Sequence, residues 1–201
     1  PQQWRLHDYD VPTISLDLGV HVHHLVDFLT GEKPMEVVAT QSSLGHFQQV
    51  VDNTMVLARY HNGMEGQFWF SKAALGHRNG LRVRVYGEVG AAEWFQMDPE
   101  VLHYFNNRGL RRQIDRASDD ISLAHLERYN RFKAGHPAGF LEAFANLYAD
   151  IAHRIGQDPG WEIEANEYVF SARQAYEGLV MLEAIDRSAR ERRWISTDLG
   201  V

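Results

Sequence analysis

Residues 53–73 read NTMVLARYHNGMEGQFWFSKA, and this stretch decides the fold class. Apolar and polar residues alternate on both sides of Asn62-Gly63, a dipeptide that favours a tight hairpin turn. The alternation predicts two antiparallel strands, over 53–60 and 67–73. The aromatic side chains of Phe68-Trp69-Phe70 would point to both faces of the sheet, so we expect a cover on each face. The chain's own helices could cover one face and a second copy of the chain the other.

The period of two continues on both sides of this hairpin. Further strands are predicted over 36–41, 81–86, 91–95 and 101–105, with an edge strand at 194–195. Helices are predicted over 16–29, 138–155 and 172–190. Short links between the strands favour antiparallel neighbours. The sequence therefore predicts an α+β fold, in which an open, mainly antiparallel or mixed sheet of about six strands carries helices on one face.

Composition restricts the class of protein. The chain has 201 residues, of which 44% are hydrophobic and 23% charged, which excludes a disordered or fibrous protein. A formal net charge of −7 argues against nucleic-acid binding, and no apolar run predicts a membrane span. The absence of cysteine excludes disulfides, thiolate metal sites and cysteine nucleophiles. We expect a cytoplasmic protein with one domain, 1–201, in which the arginine-rich residues 107–136 form a polar loop or lid.

One short segment groups several side chains that can take part in proton transfer. It contains one carboxylate and three imidazoles: Asp17, His21, His23 and His24. Asp17 and His21 are four residues apart, so an α-helix would place both side chains on one face. A carboxylate beside an imidazole favours the imidazolium and orients the ring, as a general acid or base for a hydroxyl group requires. His24 could join this face, whereas His23 would point elsewhere.

The same residues allow two other interpretations. Asp17, His21 and His24 could supply one carboxylate and two imidazoles to Zn²⁺ or a similar ion, although the usual helical pair has its histidines four apart. Alternatively, Asp17 could bind backbone donors at a helix N-terminus while the histidines are half-buried polar residues. The segment Gly87-Glu88-Val89-Gly90 lacks the strand–turn–helix context of a phosphate loop, and the chain has no dinucleotide fingerprint.

These motifs, in their order, resemble the C-terminal domain of the Gfo/Idh/MocA oxidoreductases. Asp17-Leu18-Gly19-Val20-His21 is similar to the D-x-G-x-H motif of that family. Similarity continues through Asn62-Gly63, through residues 86–94, through Gly135-His136-Pro137 and through residues 142–148, and extends over nearly the whole chain.

The resemblance implies that two domains have different functions. A Rossmann domain would bind NAD or NADP, and the C-terminal domain would bind a sugar or polyol and form oligomers through its sheet. By resemblance His21 transfers the proton and Asp17 orients the substrate. His136, Asn146 and His24 would contact the substrate. No residue of this chain is expected to bind the cofactor or a metal ion.

The chain also departs from the family pattern. The Rossmann domain is missing, so we expect a C-terminal domain alone that does not turn over, either as a fragment or as a natural standalone domain. Ala138 and Phe140 stand where relatives often have Glu and Tyr, which removes two polar contacts with a substrate. Two rival functions remain at this point: a metal-dependent enzyme that uses Asp17, His21 and His24, and a non-catalytic self-association module.

Overall fold

The computed structural model describes residues 3–119, 121–156 and 168–198. Its strands are β1 (Pro34–Ser42), β2 (Asn53–Tyr60), β3 (Glu65–Ser71), β4 (Arg82–Tyr86), β5 (Gly90–Phe95), β6 (Leu102–Asn106), β7 (Arg111–Ile114) and β8 (Ile195–Ser196). Its helices are α1 (Val20–Thr30), α2 (Phe140–Gly156) and α3 (Ala172–Glu191). These elements form two compact units, one from Pro1–Gly76 and Phe170–Val201 and one from His77–Val169. The prediction of a single domain stays a prediction.

The first unit contains a four-stranded antiparallel sheet in the order β3-β2-β1-β8. The predicted hairpin is confirmed, with Val56 opposite Phe68 in the register of β2 and β3. Alternation along β2 buries Val56 and Ala58 and exposes Met55 and Leu57. One face of this sheet therefore carries the core, and the other carries exposed apolar side chains.

Helix α3 packs on the buried face of this sheet. Leu182 and Ile185 are fully buried there against Val37 of β1, and burial of each such side chain is worth roughly 1.5–3 kcal/mol. The helix begins with a capping box, in which the Ser171 hydroxyl accepts from the Gln174 backbone and the Gln174 side chain accepts from the Ser171 backbone. The predicted helix over 172–190 is confirmed.

The second unit contains a four-stranded antiparallel meander in the order β4-β5-β6-β7, together with α2. Two tight connections join its strands: β4 to β5 through a turn at Gly87, and β6 to β7 through Gly109, whose φ is +83°. The polar loop or lid predicted over 107–136 contains β7 and two short 3₁₀ turns, Ser122–His125 and Glu127–Tyr129. Strand β7 has the sequence Arg-Arg-Gln-Ile, in which apolar and polar residues do not alternate. The sequence pattern therefore does not predict this strand.

The α+β class and its antiparallel strands are confirmed, while the strand count and sheet number differ from the expectation. The described residues form eight strands in two sheets of four, instead of one sheet of about six. Local alternation predicts strands but does not say which strands pair, because pairing depends on contacts distant in sequence. No helix in the described ranges is long and apolar enough to cross a membrane.

Candidate functional site

The turn that carries Asp17 is π-helical over Ser15–Gly19, and α1 begins only at Val20. The prediction of a continuous α-helix over 16–29 is therefore corrected at its N-terminal end. Hydrophobic spacing does not distinguish a π turn from an α turn over so few residues. π turns inside helices occur often at functional sites.

Packing around Gly19 explains why a glycine ends this turn. A Cβ atom on Gly19 would lie 2.7 Å from Leu182 Cδ2 and 3.3 Å from Phe70 Cζ. The backbone therefore approaches α3 and β3 more closely than a side chain would allow. The Asp8 carboxylate fixes the start of the segment, because it accepts hydrogen bonds from the Thr13 and Val51 backbone amides at 2.9 and 2.7 Å.

The Asp17 carboxylate lies between two cations. Arg5 Nη2 donates a hydrogen bond to Oδ1 at 3.1 Å, and Lys72 Nζ lies 2.7 Å from Oδ2. Arg5 comes from the N-terminal 3₁₀ turn Gln3–Leu6, and Lys72 follows the end of β3. Partial burial of Asp17 disfavours its charge, but the hydrogen bond and charge of Lys72, together with Arg5, outweigh this effect and lower its pKa. Asp17 is therefore held as a carboxylate.

The three histidines of α1 lie in different surroundings. His21 is exposed in the first turn of the helix, one residue after Val20. His24 is half-buried, and its ring stacks on Phe170 with centroids 4.4 Å apart. Burial lowers the pKa of His24, and the charge of His21 acts in the same direction. His23 is buried beside Gly178 of α3 and points away from solvent.

The structure does not bring Asp17, His21 and His24 together as a set of metal ligands. Within residues 3–119, 121–156 and 168–198, no group of three or more His, Asp or Glu side chains has the geometry to hold a metal ion. Each oxygen of Asp17 contacts one cation of the protein, Arg5 on Oδ1 and Lys72 on Oδ2, and keeps a further lone pair for a hydrogen-bond donor.

Two predicted substrate residues lie in the second unit. Asn146, on α2, accepts a hydrogen bond from Arg131 Nη1 at 2.8 Å and lines a cavity of about 360 Å³. His136 is exposed before α2, where its ring Nδ1 lies 3.1 Å from the carbonyl oxygen of Lys133 and its own carbonyl accepts from Arg116. Their placement beside Asp17 and His21 stays a prediction.

Comparison with known proteins identifies the family. Residues 1–93 match the family described as the GFO/IDH/MocA C-terminal domain. Over residues 1–93, this chain belongs to the Gfo/Idh/MocA C-terminal domain family. The matched part contains the π turn, α1 and the whole first hairpin.

Relatives of this Gfo/Idh/MocA domain are oxidoreductases. "Uncharacterized oxidoreductase YfiI" of Bacillus subtilis is 28% identical over 199 residues, which cover 94% of this chain and 50% of YfiI. The crystal structure of an oxidoreductase from Sinorhizobium meliloti is 34% identical with a TM-score of 0.80, over 90% of this chain and 52% of the other. An inositol dehydrogenase homologue from Azotobacter vinelandii, complexed with NADH and myo-inositol, shares the fold at 22% identity and a TM-score of 0.81, over 96% of this chain and 52% of that one. The chain thus spans about half the length of the relatives it matches.

The described residues of this Gfo/Idh/MocA domain do not fit a dinucleotide. Both sheets are antiparallel, whereas a dinucleotide site needs a parallel strand–helix–strand unit with a glycine-rich first turn. Gly87 and Gly90 lie where two antiparallel strands, β4 and β5, are joined, so the chain does not continue from this turn into a helix. We therefore assign no described residue to the cofactor.

Sequence reasoning missed the two cations that hold Asp17. Arg5 lies 12 residues before Asp17 in the chain and Lys72 lies at the end of a distant strand, so neither shows a local spacing motif. One usable signal is the position of Lys72. It directly follows an aromatic strand, where the chain leaves the sheet.

Proposed function

We propose that this chain is the substrate-binding and oligomerisation domain of an NAD- or NADP-dependent dehydrogenase that oxidises a secondary alcohol of a sugar or polyol. The observation that carries the proposal is the Asp17 carboxylate, held ionised by Lys72 and Arg5 one turn before the exposed His21. The oxidoreductase relatives support the reaction class, and the myo-inositol of the Azotobacter vinelandii homologue supports a polyol.

Asp17 and its cations suit a molecule with adjacent hydroxyl groups. A carboxylate accepts hydrogen bonds from hydroxyl hydrogens, and the ammonium group of Lys72 donates to hydroxyl oxygens. Lys72 and Arg5 are both partly exposed, so a polyol can reach this cluster from solvent. The cations also lower the pKa of Asp17, which makes it a weak base, so Asp17 orients the hydroxyl and is not the group that removes its proton.

His21 is the proposed proton acceptor. Imidazole exchanges a proton near neutral pH, and His21 is exposed at the end of the turn that holds Asp17. Removal of the hydride is the part of the reaction that the nicotinamide supplies, and the described residues take no part in it. This chain alone is therefore expected to bind the polyol without turnover.

Three further residues are proposed to contact the substrate: His24, whose ring stacks on Phe170, and Asn146 and His136 of the second unit.

The self-association part of the proposal rests on the outer face of the first sheet. Leu57 is 50% exposed there and Trp69 is 58% exposed, although both lie in the middle of a strand. A second copy of this chain would cover this apolar face.

Calorimetric titration of the chain with myo-inositol tests the polyol site. We expect saturable binding that Asp17→Asn weakens at least about tenfold, because a charged hydrogen bond is worth about 1.5–3 kcal/mol. Lys72→Met should weaken binding too, whereas Asp10→Asn, an exposed carboxylate change outside the turn, should leave it unchanged. NADH should not bind to the chain. Absence of polyol binding, together with self-association, would favour a non-catalytic self-association module.

A further inference from the structure

The second unit contains a cavity of about 360 Å³ between α2 and the 3₁₀ turn Glu127–Tyr129. Ligand pockets in proteins have volumes of about 300–1,000 Å³, so this cavity has room for one small ring-shaped molecule. Its wall combines aromatic and apolar side chains with polar groups, which include Tyr129, Phe132, Leu147, Arg128, Arg131 and Asn146.

The carboxylates in this wall are already bonded within the protein. Asp150, only 2% exposed, accepts two hydrogen bonds from Arg128, at 2.9 Å from Nη1 and 2.7 Å from Nη2. Glu100 accepts from Arg116 Nε at 2.7 Å and from the Ala138 backbone amide at 3.2 Å. Glu142 accepts from the Gly139 backbone amide at 2.9 Å. Each acidic group of the wall is therefore already held by donors of the protein.

Donors, by contrast, remain in the wall. The buried Arg128 Nε has no hydrogen-bond partner among the described residues. Arg131 uses Nη1 for its bond to Asn146 Oδ1, and its guanidinium and the amide of Asn146 carry further N–H groups. Unpaired donors in a partly desolvated wall favour a ligand that supplies acceptors, and an anion supplies the strongest.

The aromatic groups favour a ring. The Arg128 guanidinium lies over two tyrosine rings, 5.1 Å from the centroid of Tyr129 and 5.2 Å from that of Tyr168. This arrangement fixes the donor before any ligand arrives. Tyr129, Tyr168 and Phe132 then offer flat apolar surface next to it.

We propose that this cavity binds a small hydroxylated ring with a carboxylate, that is, a sugar acid. The carboxylate accepts from the Arg131 and Arg128 side of the wall, and the ring packs on the aromatic side chains. The chain has a formal net charge of −7, so its overall charge repels anions. Binding of a sugar acid would therefore depend on the arginines of the cavity. The inference shares Asn146 with the proposed function but needs neither Asp17 nor a cofactor.

Calorimetric titrations of the full chain with D-glucuronate, D-glucose and inorganic phosphate test the inference. We expect saturable binding of D-glucuronate, at least tenfold tighter than that of D-glucose or phosphate. Arg131→Gln should weaken it about tenfold or more, since a charged hydrogen bond is lost. Arg131 is exposed, so this variant should fold normally, which its circular dichroism and melting temperature would check.

Two matched variants make the result specific. Arg108→Gln removes the same charge from an exposed turn outside the cavity and should leave D-glucuronate binding unchanged. Asp17→Asn should also leave it unchanged, so failure of the proposed polyol site and failure of this inference are distinguishable. Absence of D-glucuronate binding, equal binding of D-glucose or phosphate, or normal binding by Arg131→Gln would each overturn the inference.

Discussion

At the scale of single residues, the cation pair around Asp17 determines what this carboxylate does. Lys72 and Arg5 lower its pKa in spite of partial burial, which favours the ionised form of Asp17. The sequence predicts Asp17 and His21 through their spacing. It does not predict Lys72, because the contact joins residues from distant segments that only the folded sheet brings together.

A second residue-scale consequence concerns His23, which is 3% exposed and whose Nε2 has no hydrogen-bond partner among the described residues. Burial lowers its pKa, and the charge of His24 acts in the same direction, against the opposing charges of Asp27 and Glu177. Above the ordinary pKa of 6.5, folded and unfolded chains both hold a neutral imidazole. As the pH falls below that value, the unfolded chain takes up a proton that the folded chain does not.

We therefore expect the free energy of unfolding to decrease as the pH falls from about 7.5 to about 5.5, because the lowered pKa of His23 lets the unfolded chain take up the proton more readily. Urea unfolding at several pH values measures this dependence. His23→Gln should flatten it, whereas His77→Gln, an exposed substitution in the first residues after β3, should not. An identical pH dependence in wild type and His23→Gln would contradict the role of this buried imidazole.

At the scale of elements, alternation and helical spacing predict most strands and all three helices, with ends that differ by a few residues. Strands β1 to β6 follow from alternating apolar residues, and the left-handed Gly31 after α1, with φ of +69°, ends that helix as glycine commonly does. The π turn Ser15–Gly19 does not follow from spacing, because tertiary packing selects it. The close approach of Gly19 to α3 and β3 is the packing that this turn permits.

Gly19→Ala tests this packing. The added methyl group would lie 2.7 Å from Leu182 Cδ2, inside a core that has little freedom to move. We expect a loss of about 1–3 kcal/mol in the free energy of unfolding, the usual cost of overpacking. Gly139→Ala is the matched control, since a Cβ there meets nothing within 4 Å. Equal stability of the two variants in urea unfolding would contradict this explanation.

At the scale of the whole molecule, the outer face of the first sheet is an exposed apolar surface that the polyol site does not explain. The sequence predicts a sheet with apolar residues on both faces, and the structure covers only one face with α3. Leu57 and Trp69 stay exposed at the centre of the other face. Alternation along a strand shows which of its side chains are apolar. It does not show which part of the chain, or which other molecule, contacts them.

Leu57→Glu tests whether a second copy of the chain is the cover. We expect wild type to self-associate and Leu57→Glu to raise the dissociation constant by more than tenfold, since a charge would be buried without a partner. Sedimentation or light scattering over a range of concentrations measures this. Leu75→Glu adds the same charge at a residue that is 99% exposed after β3 and should have no effect. A monomeric wild type at every concentration would contradict self-association.

The central claim is that Asp17, Lys72 and His21 form one polyol-binding surface on the first unit. Chemical-shift mapping of the isotopically labelled chain during titration with myo-inositol tests it most directly, because it locates the ligand as well as detecting it. The account predicts saturable shifts that centre on the Ser15–Gly19 turn, His21 and Lys72 and that disappear in Asp17→Asn. Saturable shifts that lie elsewhere, or that persist unchanged in Asp17→Asn, would contradict it.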